Sequence, residues 1–308
     1  MGTRHGRRSL LVVALALAVL AGCGGGGEPP AGGQASGEGL TELGRRLPQR
    51  IRSAREIRVG SDVSYAPVEF FDAFAPDVLD RPVGEPEPLV RGIDPDLAVE
   101  LGRKLGVRFT FRNVAFDELI PSLRSGRFDL IISAMTATGE RAELISFVEY
   151  FQAGTSILVA KGNPERIRSL GDLCGATVAL QSGTVQEELV AGQQGRCGGR
   201  PIRVRSLDSG TQVILDVKYG RAAAALTDFP VAAYNAKVSG EGGDLEVVGE
   251  QIDPGPYGVG VRKQDAELRA ALQGALREII ADGSYDRVLA KWNVSDGALK
   301  TAGTIGAG

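Results

Sequence analysis

Histidine is almost absent from this 308-residue sequence, and the position of the one histidine decides what the absence excludes. His5 follows Arg4 in a basic N-terminal segment that also contains Arg7 and Arg8. An apolar run over residues 10–20 comes next, and a basic segment followed by a short apolar run is typical of a secretory signal. Removal of the signal takes the histidine with it, so the mature chain has no imidazole for catalysis or metal binding.

The apolar run is short for a membrane span, and it ends in the sequence Leu20-Ala21-Gly22-Cys23. This ending resembles the lipobox of bacterial lipoproteins, in which the cysteine is lipidated and becomes the new N-terminus. The alternative is a plain signal peptide over residues 1–22 with an unrelated cysteine. The Gly-, Pro- and Ser-rich linker over residues 24–39 favours a lipid anchor on Cys23. Arg7-Arg8 also fits a twin-arginine signal, although ordinary secretion is favoured.

Cysteine is scarce as well, because the chain has only three and Cys23 is assigned to the lipid. Cys174 and Cys197 would face an oxidising compartment, where disulfides persist and free exposed thiols are a liability. The sequence therefore predicts a disulfide between them. Two unconnected thiols are the alternative.

No strongly basic region is present. Removal of residues 1–22 leaves 32 basic residues against 38 acidic ones, so the mature chain has a net charge of about −6. This balance argues against a nucleic-acid partner. With 43% hydrophobic residues, the chain can bury a substantial core and is long enough for two lobes of ordinary size.

Residues 116–150 contain the most informative pattern. It predicts an amphipathic helix that ends near Gly126, a buried strand over residues 128–132, and a hydroxyl-rich loop that leads into a second helix with Arg141 in its first turn. A strand that opens onto a helix N-terminus presents backbone N–H groups to an anion, and Arg141 adds a planar fork that matches a carboxylate. The pattern indicates a carboxylate receptor, and a capped helix with a surface arginine is the alternative.

The same stretch resembles the extracellular solute-binding proteins that serve ABC importers of polar amino acids. The resemblance extends from Ile57 to Trp292 and implies an α/β, periplasmic-binding-protein-like fold of type II, with the ligand cleft between two lobes. The alternation of strands and helices indicates the same fold class. The spacings that carry the resemblance belong to Pro121, Gly126, Asp129, Thr138, Glu140, Arg141, Phe147 and Tyr150.

The expected organisation has five parts. They are the signal peptide (1–22), a lipid-anchored linker with a short helix (23–54), lobe 1 (55–153 and 250–295), lobe 2 (154–249) and a flexible tail (296–308). Residues 72–89 are an insertion relative to the family pattern, and we expect them to decorate a lobe rather than to cover the cleft. Asp94 is expected to cap a helix that has Pro95 at its first position, outside the binding site.

Carried over residue by residue, the resemblance places Thr136, Arg141 and Thr184 on the α-carboxylate of the ligand. It places Asp228 on the α-ammonium group. This assignment is physically sensible, because a zwitterion that leaves water needs donors at one end and an anionic acceptor at the other.

The resemblance also places two aromatic rings, Tyr65 and Phe116, on either side of the ligand, and ordinary core packing of these rings is the alternative. Asp62 lies where family members place a carboxylate near the ligand side chain, which would attract a cationic or amide side chain and repel an acidic one. Gln181 would add a neutral hydrogen bond.

The family's preference for serine at the end of the strand is met by Ser133. Ala134 replaces a second hydroxyl that some members have. The identity of the bound amino acid therefore stays open.

The leading hypothesis is a monomeric, non-enzymatic receptor without a cofactor or metal. It would be anchored by Cys23 to the outer face of the cell membrane, would close its lobes over a polar amino acid, and would deliver it to ABC permease subunits. One alternative is a secreted enzyme that resembles cyclohexadienyl dehydratase, which without histidine would need carboxylates, lysine or tyrosine for acid–base chemistry. The other alternative, an extracellular sensor domain, is disfavoured because no membrane span follows Trp292.

Overall fold

The structure is a computed structural model, and it describes residues 39–71 and 90–306. The predicted signal peptide (1–22), Cys23 with the linker up to residue 38, and the predicted insertion at 72–89 lie outside the described residues. Within the described ranges, no helix is both long enough and apolar enough to cross a membrane.

Strands and helices alternate along most of the described chain. The strands are β1 (Glu56–Ser61), β2 (Ser64–Tyr65), β3 (Glu69–Phe71), β4 (Val90–Arg91), β5 (Arg108–Asn113), β6 (Leu130–Ile131), β7 (Ser146–Ala160), β8 (Thr177–Gln181), β9 (Arg203–Leu207), β10 (Ala224–Asp228), β11 (Leu245–Val261) and β12 (Thr304–Ile305). The helices are α1 (Gln49–Ala54), α2 (Ile93–Leu105), α3 (Leu119–Arg124), α4 (Gly139–Leu144), α5 (Val185–Gln194), α6 (Gly210–Lys218), α7 (Phe229–Val238), α8 (Ala266–Ala281) and α9 (Ser284–Lys291).

A continuous sheet in the order β5-β1-β6-β11-β7-β10-β8-β9 runs through the described chain. Its first half contains β1 paired in parallel with β5 and β6, and its second half contains β8 paired in parallel with β9 and β10. The long strands β7 and β11 pair antiparallel with each other and belong to both halves. This architecture is the predicted α/β fold with two lobes.

The connection between the two halves is irregular. The pairing of β7 with β11 shifts register around Ile252 and Gly255, and the Gly154 N–H donates to the Gln251 side chain at 2.9 Å. The predicted lobe boundaries, at 153/154 and 249/250, fall inside these two strands, and they stay a prediction.

Three clusters of buried apolar side chains form the core. The largest lies around α2, α8 and the first half of the sheet, the second lies around β8 and β10, and the third lies around α3 and β6. The second cluster includes the disulfide between Cys174 and Cys197, whose Cα atoms are 5.2 Å apart, so the predicted bridge is confirmed. Closing a loop of this size stabilises the folded state by about 3 kcal/mol.

The helix α4 begins as the sequence predicts, directly after the loop that follows β6. Thr138 is its N-cap, and the Thr138 hydroxyl accepts a hydrogen bond from the Arg141 N–H at 3.2 Å. An N-cap of this kind satisfies one of the backbone donors that a helix start leaves unpaired. It also fixes the backbone of Arg141 at the edge of the sheet.

The predicted cap of α2 is wrong. Gly92 is the N-cap residue, with φ at 138°, and Asp94 is the second residue of the helix. Asp94 is fully buried, and its carboxylate accepts hydrogen bonds from the Ala134 N–H at 3.0 Å and from the Tyr150 hydroxyl at 2.8 Å. The local pattern predicts the start of the helix, but it cannot show that a loop 40 residues further along the chain takes this carboxylate.

The described part of the predicted flexible tail, residues 296–306, contains the short strand β12. Thr304 and Ile305 pair with Val148 and Phe147 of β7, and the Ser146 hydroxyl donates to the Gly306 carbonyl at 2.9 Å. β12 can pair at this edge of β7, because β10 pairs only with residues 155–159 of the same strand.

Candidate functional site

A small cavity lies where loops from both halves of the sheet meet. Among the described residues, no group of three or more His, Cys, Asp or Glu side chains is arranged to hold a metal ion. Nine of the ten predicted ligand residues line the cavity: Asp62, Tyr65, Phe116, Ala134, Thr136, Arg141, Gln181, Thr184 and Asp228. The tenth, Ser133, lies behind the wall, and three residues that were not predicted complete the lining: Glu69, Val185 and Gln186.

The topology of the sheet explains why residues so far apart in sequence converge. Asp62 follows β1, Ser133 follows β6, Gln181 ends β8 and Asp228 ends β10. All four strands belong to the parallel parts of the sheet, and ligands bind at the C-terminal ends of such strands. The two halves present these ends to each other across the cavity.

Arg141 bridges the two halves. Its Nη1 donates to the Thr136 carbonyl at 2.8 Å and its Nη2 donates to the Gly183 carbonyl at 2.9 Å. The guanidinium carbon lies 5.4 Å from the centre of the Phe116 ring, within cation–π distance. A guanidinium has five N–H donors, so these bonds leave donors for the carboxylate of a ligand.

Asp228 is fully enclosed, and neutral donors satisfy its carboxylate. Gln186 donates to it at 2.8 Å and the Tyr257 hydroxyl donates at 2.7 Å. Burial raises the pKa of Asp228 to about 6, while the bonds from Tyr257 and Gln186 and the charge of Arg141 act in the opposite direction. The carboxylate is therefore mostly ionised at neutral pH, although no cation contacts it directly within the described chain.

Asp62 is a second buried carboxylate in the wall, away from Arg141. It accepts hydrogen bonds from the Ser64 hydroxyl at 2.6 Å and from the side-chain amide of Gln181. Burial is the main cause that raises the pKa of Asp62. No ion pair to Asp62 is found among the described side chains, so its charge is balanced only by neutral donors.

Direct hydrogen bonds across the cavity hold the two halves together. The Tyr65 hydroxyl lies 2.8 Å from the Thr227 hydroxyl and accepts from the Asp228 N–H at 3.0 Å. At the rim, the Gly210 N–H donates to the Ser64 hydroxyl at 3.0 Å. Together with the contacts of Asp62 and Arg141, these bonds describe a closed cleft.

Two of the predicted donors have partners within the protein. The Ala134 N–H is directed to Asp94 and not into the cavity, and the Thr184 hydroxyl donates to the Gln181 carbonyl at 2.7 Å. Ser133 is buried behind the wall, where its hydroxyl donates to Glu69 at 2.8 Å and accepts from the Asp62 N–H at 2.9 Å. Ala134 and Thr184 line the cavity, whereas Ser133 supports its wall from behind.

The sequence analysis missed Glu69, Gln186 and Tyr257. Glu69 lies four residues after Tyr65, in the predicted turn region, and Gln186 lies beside Thr184 in the first turn of a predicted helix. Their positions in the sequence could therefore have suggested both residues as part of the site. The sequence gives no such indication for Tyr257, because the irregular course of β11 brings it to Asp228.

Comparisons with known proteins identify the family that this chain resembles. The model of the bacterial extracellular solute-binding proteins, family 3, matches residues 57–295. The lysine/arginine/ornithine-binding periplasmic protein of Escherichia coli (strain K12) is 34% identical over 242 residues, which cover 77% of this chain and 86% of that protein.

Solved structures share the fold. An ancestral arginine-binding protein bound to arginine is 35% identical, with a TM-score of 0.68, over 77% of this chain and 97% of that one. An ancestral amino acid-binding protein, a precursor of cyclohexadienyl dehydratase, is 33% identical, with a TM-score of 0.67, over 79% and 97% of the two chains.

Proposed function

This chain belongs to the bacterial extracellular solute-binding proteins of family 3, and we propose that it binds an amino acid with a cationic side chain and delivers it to the permease of an ABC importer. The observation that carries the choice of ligand is Asp62. It is a buried carboxylate in the cavity wall, and its hydrogen-bond donors among the described residues are all neutral: the side chains of Ser64 and Gln181 and the backbone of Phe116. A cationic side chain would balance this charge, whereas an acidic side chain would add a second uncompensated one.

The ligand lies with its α-carboxylate on Arg141 and its α-ammonium group on Asp228. Its side chain extends towards Asp62, between the rings of Tyr65 and Phe116. Each charge of the ligand then leaves water only to meet an opposite charge, which is the condition under which burial of an ion is tolerated. The names of the relatives support this reading, because they bind lysine, arginine and ornithine, or arginine.

Ligand binding favours the closed cleft. Arg141 and Asp228 lie on opposite sides of the cavity, so a single zwitterion contacts both halves only when they are together. A ligand shifts a conformational equilibrium by its differential affinity for the two states. The closed form is then the one that a permease would recognise, and the hinge would lie where the pairing of β7 with β11 is irregular.

Calorimetric titration of the purified protein against arginine, lysine, ornithine, histidine, glutamine and glutamate tests the proposal. We expect a cationic amino acid to bind most tightly and glutamate to bind at least a hundredfold more weakly. Tightest binding of glutamate, or no binding of any amino acid in the panel, would contradict it.

A dehydratase-like activity is the second candidate function, because the precursor of cyclohexadienyl dehydratase shares the fold. The buried carboxyl of Asp228, with a pKa raised to about 6, is the kind of group that could act as an acid or base. Incubation with cyclohexadienyl substrates, followed by product analysis, separates the two functions. We expect no turnover above that of the Asp228→Asn variant.

We further propose that Cys23 carries a lipid that holds the protein on the outer face of the membrane as a monomer. The proposal comes from the Leu-Ala-Gly-Cys sequence and the linker that follows it. Fractionation of cells that express the Cys23→Ser variant tests the anchor. We expect this variant in the soluble fraction, and its unchanged retention in the membrane fraction would contradict the proposal.

A further inference from the structure

Two buried acids outside the predicted ligand set face each other beneath the loop that follows β6. Glu69 is the first residue of β3 and Asp94 lies in the first turn of α2; they are 1% and 0% exposed. No ion pair to either acid is found among the described residues. Two carboxylates in such a place would repel each other strongly unless one of them keeps its proton.

The hydrogen-bond donors around the pair show which acid is charged. Asp94 accepts from the Ala134 N–H at 3.0 Å and from the Tyr150 hydroxyl at 2.8 Å, so both of its oxygens act as acceptors. Glu69 accepts from Ser133 at one oxygen only, and no donor reaches its other oxygen, Oε2. A charged carboxylate oxygen that is buried without a hydrogen-bond donor costs free energy. If the group is neutral, the same oxygen carries a proton and can donate it to an acceptor nearby.

We propose that Glu69 and Asp94 share one proton, carried by Glu69 and donated to Asp94, and that this pair positions the ligand loop from Ser133 to Thr138. The two acids are positioning residues, because each acts through a residue of the loop. Glu69 holds the Ser133 side chain, and Asp94 holds the Ala134 backbone. The inference rests on the proposed function only in taking this loop as part of the ligand site.

The backbone of Ala134 shows why the loop needs such support. Its φ is 43°, in the left-handed region, which costs an alanine free energy that a glycine would not lose. The hydrogen bond to Asp94 opposes this cost in a place where the residue lines the cavity. Strain of this kind persists only where the surroundings over-determine it.

The electrostatic surroundings favour a retained proton. Burial and the charge of Asp94 raise the pKa of Glu69 well above its usual value, and burial raises the pKa of Asp94 to about 7. The other titratable groups that face the pair are Asp62, after β1, and the hydroxyls of Tyr65 on β2 and Tyr150 on β7. Arg91, on the strand β4 that pairs with β3, is exposed.

Unfolding by urea between pH 6 and pH 9, without ligand, tests the shared proton directly. The native state holds a proton that the unfolded state releases, so the wild-type midpoint should fall as pH rises. Glu69→Gln replaces the O–H by an N–H donor of similar shape and should reduce this fall. Asp216→Asn, at a buried acid that is paired with Arg205 and Arg221 and does not line the cavity, is the matched control and should keep the wild-type pH dependence.

Titration with arginine tests the positioning role. We expect the arginine affinity of the wild type to fall between pH 7 and pH 9, where the shared proton is lost, and the affinity of Glu69→Gln to fall less over the same range, whatever its value at pH 7. We expect Asp94→Asn to bind at least tenfold more weakly, and the added substitution Ala134→Gly to restore part of the loss, because glycine adopts the loop conformation without Asp94.

The outcomes separate this inference from the proposed function. A wild-type pH dependence of unfolding in Glu69→Gln, or an equal fall of its arginine affinity between pH 7 and pH 9, would overturn the shared proton. Wild-type affinity in Asp94→Asn would overturn the positioning role. If the wild type bound no cationic amino acid, the proposed function would fail while the unfolding series still decided whether the pair holds a proton.

Discussion

Buried acids on the two sides of the cavity are satisfied in different ways. Asp228, in the second half of the sheet, accepts from the neutral donors Gln186 and Tyr257, and no other acid of the described ranges is found in contact with it. Glu69 and Asp94, in the first half, contact each other as well as neutral donors. A single acid among neutral donors keeps its charge available for a cation, whereas two facing acids retain a proton and serve structure.

The largest effect on ligand binding is expected from removal of Arg141, the cation that faces Asp228 across the cavity. Arg141→Ala leaves the ligand's carboxylate without its partner, and truncation of one member of a buried charge pair costs about 2–5 kcal/mol. We expect a loss of affinity from about thirtyfold to several thousandfold, measured by calorimetry after circular dichroism confirms folding. Arg141→Lys should restore only part of it, because an ammonium group lacks the planar fork. Wild-type affinity in the alanine variant would contradict the carboxylate site.

The charge of Asp228 can be removed without changing its shape. Asp228→Asn keeps the volume but loses a charge-assisted hydrogen bond worth about 1.5–3 kcal/mol, so affinity should fall by about ten- to a hundredfold. Calorimetry at pH 7 measures the loss. An affinity within twofold of wild type would mean that the ammonium group binds elsewhere.

The pH dependence of binding distinguishes the two kinds of acid. The pKa of Asp228 is about 6 in the folded protein, above its usual value of 3.8, so the side chain favours folding least when it is ionised at higher pH. Binding of an ammonium group requires the ionised form. Affinity should therefore fall about tenfold between pH 7 and pH 5, and Asp228→Asn should lack this fall. Titrations in matched buffers measure both.

The disulfide lies in the second half of the molecule, the half that contains Asp228. It joins Cys174 to Cys197, just beyond the end of α5, the helix that presents Gln186 to Asp228. Replacement of both cysteines by serine should lower the free energy of unfolding by about 2–4 kcal/mol and weaken ligand binding a few-fold. Urea unfolding and calorimetry measure the two effects. The pH dependence assigned to Glu69 and Asp94 should not change.

The smallest expected effect concerns the ring beside Arg141. The Phe116 ring lies 5.4 Å from the guanidinium carbon, and a partly exposed cation–π contact contributes about 0.5–1 kcal/mol. Phe116→Leu should therefore weaken binding about two- to fivefold without abolishing it. A loss above a hundredfold would mean that the ring also confines the ligand.

The helices α4 and α2 show which structural features a local sequence pattern can predict. The start of α4, with Arg141 in its first turn, follows from neighbouring residues and was predicted, and the structure shows Thr138 as its cap. The start of α2 was predicted two residues too late, with Asp94 as the cap, and the role of Asp94 was missed because its partners Ala134 and Tyr150 are distant in sequence. Local patterns place a helix end to within a few residues, whereas the partner of a buried charge is determined by the tertiary fold.

Some residues of the candidate site could be predicted from the sequence, and others depend on the tertiary fold. Asp62 and Asp228 were predicted from the family resemblance, and the topology explains why they meet, since both lie at the ends of parallel strands. Tyr257 could not be predicted, since a register shift in β11 decides where it lies. Glu69 follows a predicted turn, but its burial depends on packing that the sequence does not show.

The central claim is that Asp62 selects a cationic side chain, and the affinities for arginine and citrulline test it most directly. Citrulline has nearly the shape of arginine but no side-chain charge, so the ratio of the two affinities isolates the interaction with Asp62. We predict that the wild type binds arginine at least tenfold more tightly than citrulline at pH 7.5, and that Asp62→Asn brings the ratio close to one while both ligands still bind. Equal affinities in the wild type, or an unchanged preference for arginine in Asp62→Asn, would contradict the claim.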